Sequence, residues 1–135
     1  MKKIILLIVL QAILFTSCRM TKSMVMMDAK DRAKLTEEQF FEGKHIAVDF
    51  LNFSPEPNKA AEAVWKWEYN RLKAIELENT KIAPVVYKSE LDFRNVLTED
   101  QMLKYIKLFK NGDYRLTRYF LSDDALIELK RIYSL

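Results

Sequence analysis

The sequence predicts a mainly α domain, a small bundle of about four helices. Three observations carry this expectation. Only two glycines and three prolines occur in 135 residues, too few for a turn-rich β-sandwich. Two segments, Leu35-Thr36-Glu37-Glu38-Gln39 and Leu97-Thr98-Glu99-Asp100-Gln101, have the form of a helix start. Between them, residues 59–81 repeat apolar side chains at helical spacing.

The first helix is expected to open at Thr36. Its hydroxyl can accept from the amide of Gln39, and the glutamine can reach back to the cap, which makes a capping box. Leu35 and Phe40 stand where a hydrophobic staple would sit. Phe40, Ala47 and Leu51 share a helical face, although Ile46 to Phe53 also reads as a short strand.

Ser54-Pro55-Glu56-Pro57-Asn58 is the clearest breaker in the chain. Asn58 can cap the next helix. Lys59 to about Lys81 then reads as the longest helix. Its stripe is Ala61, Val64, Trp65, Glu68, Leu72, Ile75 and Asn79, with Glu68 the one charged exception. Glu62 and Lys66 stand at i,i+4 in the favourable order. Pro84 is expected to end or kink this helix, because it lacks an amide donor. A further helical stretch from Tyr87 to Val96 fits, with Leu91 and Asn95 on one face.

The second box repeats the first: Thr98 caps, Gln101 sits at N3, and Leu97 can staple to Met102. The helix runs on through Leu103, Ile106 and Lys110, and Asn111-Gly112 supplies its stop. Tyr114 to Leu121 is aromatic and also suits a strand. Ser122 caps a last helix whose apolar face is Ala125, Leu126, Leu129, Ile132 and Tyr133. An α+β domain with one or two short strands is therefore the alternative fold.

The amino-terminal end has a different character. Lys2 and Lys3 precede an apolar run from Ile4 to Phe15, broken by Gln11, and Thr16-Ser17-Cys18 follow. The run is too short to span a bilayer, which takes about 20 apolar residues, and it has the form of a signal peptide. The order of basic, apolar, small and Cys resembles the signal and lipobox of bacterial lipoproteins, with Phe15 where members usually carry Leu. The resemblance implies cleavage before Cys18 and acyl chains on that residue, which is the only cysteine. It divides the chain into a signal peptide (1–17), a lipidated tether (18–27) and a single helical domain (28–135). Arg19 follows the cysteine, where Asp would imply retention at the inner membrane, so the outer membrane is the expected address.

The mature chain would have 118 residues, enough for one small domain. The leader takes two of the 22 basic residues, leaving 20 against 19 acidic ones. That balance argues against nucleic acid as a partner. One cysteine permits no internal disulfide.

The repeated Leu-Thr-x-x-Gln, with its threonines 62 residues apart, resembles the hallmark of the Spy/CpxP family of periplasmic stress proteins. The stretch from Asn95 to Tyr105 looks most like that family's second motif. The resemblance implies an all-α, often dimeric cradle that binds unfolded polypeptide without ATP or senses envelope stress. Pro84 and the Ser54–Asn58 breaker depart from the long helices of such a cradle, and residues 113–135 have no counterpart.

No constellation points to an enzyme, a metal or a cofactor. His45 is the only histidine, whereas a metal site needs three or four convergent ligands; an edge or surface place is expected for it. The serines lie in no nucleophile-elbow context. Glu37-Glu38 and Asp123-Asp124 fall at helix starts, where the macrodipole favours negative charge. Trp65 and Tyr69 share a face and Trp67 points elsewhere, so the three are candidates for a core anchor plus an exposed aromatic that touches a partner, unless both tryptophans are covered by helices on two sides, as tryptophan's usual burial favours. Lys104, Lys107, Lys110, Arg115 and Arg118 form a basic cluster that suits a solvated face or acidic headgroups. The expected function is a non-enzymatic, lipid-anchored envelope protein that binds unfolded polypeptide. The alternative is a lipoprotein for one folded partner, as an immunity protein, inhibitor or assembly subunit.

Overall fold

The computed structural model describes residues 23–135. Helix α1 covers residues 23–33. Six further helices follow: α2 (Glu37–Ala47), α3 (Pro55–Ala74), α4 (Asn79–Val96), α5 (Glu99–Lys110), α6 (Tyr114–Tyr119) and α7 (Asp123–Tyr133). The domain is mainly α as expected, with more helices than the sequence suggested and no strand among the described residues.

Both capping boxes form. Thr36 Oγ1 accepts from the Gln39 amide at 3.2 Å, and Gln39 Oε1 accepts from the Thr36 amide at 3.0 Å. Thr98 and Gln101 repeat this geometry at the start of α5, with the same two distances. Ser122 accepts from the Ala125 amide and caps α7. Gly112, at φ 74°, closes α5. The Gly112 amide donates to Phe109 O and the Asp113 amide to Leu108 O, the paired bonds of a Schellman stop.

Several expected boundaries move. Residues 23–27 belong to α1 and are not a free tether: Met26, Ala29 and Ala33 are buried at helical spacing. Two of those three are alanines, so the stripe carries little hydrophobic signal. Helix α3 starts at Pro55, before Asn58. Prolines 55 and 57 fit its first turn, where amides have no intrahelical acceptor. It ends at Ala74, and Pro84 lies inside α4. There the proline faces solvent, so water can reach the carbonyl left without a donor. No glycine or proline marks the turn at 75–78; it is set by the packing of α3 on α4, the most extensive helix pair.

Neither candidate strand forms. Ile46 to Phe53 holds the end of α2 and a 3₁₀ turn at Asp49–Leu51, and Tyr114 to Leu121 holds α6. Leu91 and Asn95 face outward, whereas Val86, Ser89, Glu90 and Phe93 form the inner face of α4. Glu62 and Lys66 pair with His45 and Glu37 on α2, so each ties two helices together.

Helix α2 packs on α3 and α6, α7 packs on α4, and α5 meets α6 and the 3₁₀ turn. Gln101 fastens that last contact, because its Nε2 donates to Leu51 O at 3.0 Å. At Gly43 on α2 a Cβ would collide with the Tyr119 ring, so glycine lets α6 approach closely. Aromatic rings fill the core. Phe93 lies 4.8 Å from Phe120 and 5.6 Å from both Trp65 and Tyr105, between ring centroids.

Candidate functional site

Charged side chains enter this aromatic core from four helices. The cause is the short helix α6. A helix leaves its last carbonyls without intrahelical donors, and here that end is buried. Arg32 of α1 donates to Arg118 O at 2.8 Å. Lys44 of α2 donates to Tyr119 O at 2.7 Å. Arg94 of α4 donates to Leu121 O at 2.9 Å, and the Leu121 amide donates to Glu90 Oε1 at 2.9 Å. The backbone from 118 to 121 is thus clamped by side chains of α1, α2 and α4.

The cations bring their own partners. Lys44 Nζ lies 3.0 Å from Glu68 Oε2 on α3, with both side chains 2 % exposed. It also sits 4.2 Å from the centroid of Phe120, a cation–π contact. The Tyr105 hydroxyl donates to Glu90 Oε1 at 2.6 Å. Burial pushes the Lys44 ammonium below its ordinary range, against the pull of Glu68. Burial pushes the Glu90 carboxyl up, against Arg94 and the Tyr105 hydrogen bond. Burial and the Glu90 charge hold the Tyr105 phenol well above its usual range.

A lysine beside one carboxylate (Lys44 and Glu68) and a tyrosine bonded to another (Tyr105 and Glu90) are groups used in acid–base chemistry. Here they have no room to perform it. The space among Arg32, Lys44, Glu68 and Glu90 is close to 0 Å³ for a water-sized sphere. The cluster satisfies backbone and packs, with no water-sized space among its side chains.

Two open hollows lie outside it, sharing Thr117 and Ser122. The larger, about 320 Å³, is lined by Ile106 and Phe109 together with Arg94, Lys110, Asp123 and Asp124. The smaller, about 200 Å³, is lined by Met24, Val25, Phe120 and Ala125. One side is therefore mixed in charge and the other mostly apolar.

Cys18 lies outside the described residues. Leu35, Thr36, Gln39, Leu97, Thr98 and Gln101 stand at the starts of α2 and α5 as helix-start residues. Trp65 is fully buried and is the core anchor. Tyr69 is half-buried against Phe40. Trp67 is half-buried beneath Lys88, whose ammonium lies 4.9 Å from its ring centroid. Trp65 thus offers no surface to a partner, and Trp67 and Tyr69 offer part of theirs. His45 is half-buried at an edge, 2.9 Å from Glu62 Oε1. The five basic residues from Lys104 to Arg118 are all exposed on α5 and α6.

The charged centre was the feature missed from sequence, although a signal exists. Lys44 interrupts the stripe of Phe40, Ala47 and Leu51. Glu68 interrupts that of α3, and Glu90 lies one turn after Val86 on the inner face of α4. Charges of both signs inside the apolar stripes of three helices point to buried pairs.

Among the described residues no group of three or more His, Cys, Asp or Glu could hold a metal ion, and no helix is long and apolar enough to cross a membrane. No family model, curated protein or solved structure matches the chain.

Proposed function

We propose that this chain is a bacterial envelope lipoprotein, held by acyl chains on Cys18, whose helical domain binds polypeptide without catalysis. The observation that carries the reading is the leader: Lys2-Lys3, the apolar run to Phe15, then Ser17-Cys18. Two or more acyl chains would anchor the mature protein stably, in keeping with an outer-membrane address. The sealed centre supports a binding role over an enzymatic one, because its acid–base groups face one another and not a cleft. The adjoining hollows on α5, α6 and α7 supply apolar and charged surface for a peptide chain.

The paired Leu-Thr-x-x-Gln boxes favour an unfolded client, in the manner of the Spy/CpxP proteins they resemble. Lys110, Asp124 and the Arg94–Asp123 ion pair line the larger hollow and favour a second reading, one folded partner with complementary charge. Aggregation of a chemically unfolded client separates them. The mature domain in stoichiometric excess suppresses aggregation if clients are its ligands. No suppression, with one protein captured by a photo-crosslinker at Ile106, selects the folded partner. The absence of both suppression and capture would contradict the binding role itself.

A further inference from the structure

We infer that the start of α1 lies against the bilayer, with Met24 and Met27 in the headgroup zone; this rests on the lipid-anchor reading above. The described chain begins at residue 23, five residue steps after Cys18. Fully extended, five residues reach about 17 Å. That is close to the radius of gyration of a domain this size, about 13 Å for 100 residues. An anchor so short turns the end bearing residue 23 toward the membrane.

The surface at that end fits such a neighbour. The outward positions of α1 include Met24, Met27 and Asp31, at helical spacing, and exposed Lys34 follows its last residue. The two nearer the anchor are methionines, 49 % and 57 % exposed. The two farther away are a charged pair, with Lys34 Nζ 3.9 Å from Asp31 Oδ1. The stripe therefore changes from apolar to charged with distance from Cys18. Met26, between the two exposed methionines, is buried and fixes the helix to the domain. The smaller hollow, lined by Met24, Val25, Phe120 and Ala125 with Asp28, Thr117 and Ser122 among them, continues this surface toward α7.

Charge points the same way. Arg19 and Lys22 stand between Cys18 and residue 23 in the sequence, and Asp28 is the first acidic residue after the cysteine. Residues 19–27 thus carry two positive charges and no negative one, which suits anionic headgroups. Methionine's flexible, polarizable side chain adapts to an irregular contact of this kind.

Methionine oxidation tests the inference. The acylated mature protein is reconstituted in vesicles of phosphatidylethanolamine and phosphatidylglycerol. The same mature chain with Cys18→Ala is mixed with identical vesicles. Both are treated with hydrogen peroxide and read by peptide mass spectrometry. Met24 and Met27 are expected to oxidise at least about fivefold more slowly in the anchored protein, with Met102 unchanged as the internal reference. Equal rates in both proteins, with acyl mass present on the amino-terminal peptide, would overturn the membrane contact and leave the anchor standing. Absence of acyl mass on that peptide from cell membranes would remove the anchor, and the contact with it. Protection in native membranes but not in lipid vesicles would assign the surface to a protein and overturn the inference.

Discussion

The centre of this domain and the start of α1 reverse the usual distribution of polar and apolar groups. At the centre, Lys44 and Glu68 are 2 % exposed. On α1, Met24 and Met27 are 49 % and 57 % exposed. The two inversions have different causes. The centre must satisfy the buried carbonyl end of α6, and only cations from other helices reach it. The α1 surface meets no such internal requirement, and the proposed membrane contact is what would cover it. The first region bears on stability, and the second is the one proposed for association.

Substitution at the centre should have the largest effect. Lys44→Met leaves Glu68 buried without its cation and Tyr119 O without its donor. A loss of about 3–5 kcal/mol is expected in urea unfolding. Adding Glu68→Leu should recover part of it, because the unpaired buried charge goes too. A loss below about 1 kcal/mol for Lys44→Met would place the clamp among ordinary surface contacts.

Glu90→Gln comes next, at about 1–3 kcal/mol: its amide oxygen can still accept from Tyr105 and Leu121, but its amide nitrogen puts a donor where Oε2 stands 3.1 Å from the Tyr105 hydroxyl. Its pH dependence has a definite sign. The folded carboxyl is raised above its ordinary 4.5, so the folded state holds the proton more tightly than the unfolded chain. The stability from this group is complete below 4.5 and is lost as pH rises through the folded value. The cost of Glu90→Gln should therefore be greater near pH 4 than near pH 8. A cost that grows with pH would mean that the charged form is the favoured one in the fold.

The helix starts lie lower on the scale. Thr36→Ala and Thr98→Ala should each cost about 1 kcal/mol. Gln101→Ala should cost more than Gln39→Ala, by about 0.5–1 kcal/mol, because only Gln101 also bonds Leu51 O. Met24→Ser with Met27→Ser should be smallest, within about 0.5 kcal/mol by urea unfolding of the soluble domain. A large loss there would show that these methionines pack inward.

These differences track how far each feature was legible in the sequence. The boxes at Thr36 and Thr98 are built from residues three apart, so a sequence reader sees the whole interaction. The same holds for Ser122 and for the Asn111-Gly112 stop. The clamp joins Arg32 to Arg118 and Lys44 to Tyr119, 86 and 75 residues apart, and backbone carbonyls carry no sequence signature. Glu68 stood out in its stripe, but its partner Lys44 is set by the crossing of α2 on α3. The end of α3 at Ala74 was hidden for a related reason: tertiary packing turns the chain where no glycine or proline does. Helix α1 escaped notice because Ala29 and Ala33 make a buried face of little hydrophobicity.

The proposed envelope address and the proposed membrane contact of α1 both depend on an anchor at Cys18. Intact-mass spectrometry of the membrane fraction, comparing the wild type with Cys18→Ala, tests it. The predicted result is a mature chain beginning at Cys18 that carries acyl groups, with that species lost in the variant. The same unacylated mass in both would contradict the anchor, and the exposed surface of α1 would then need a different cover.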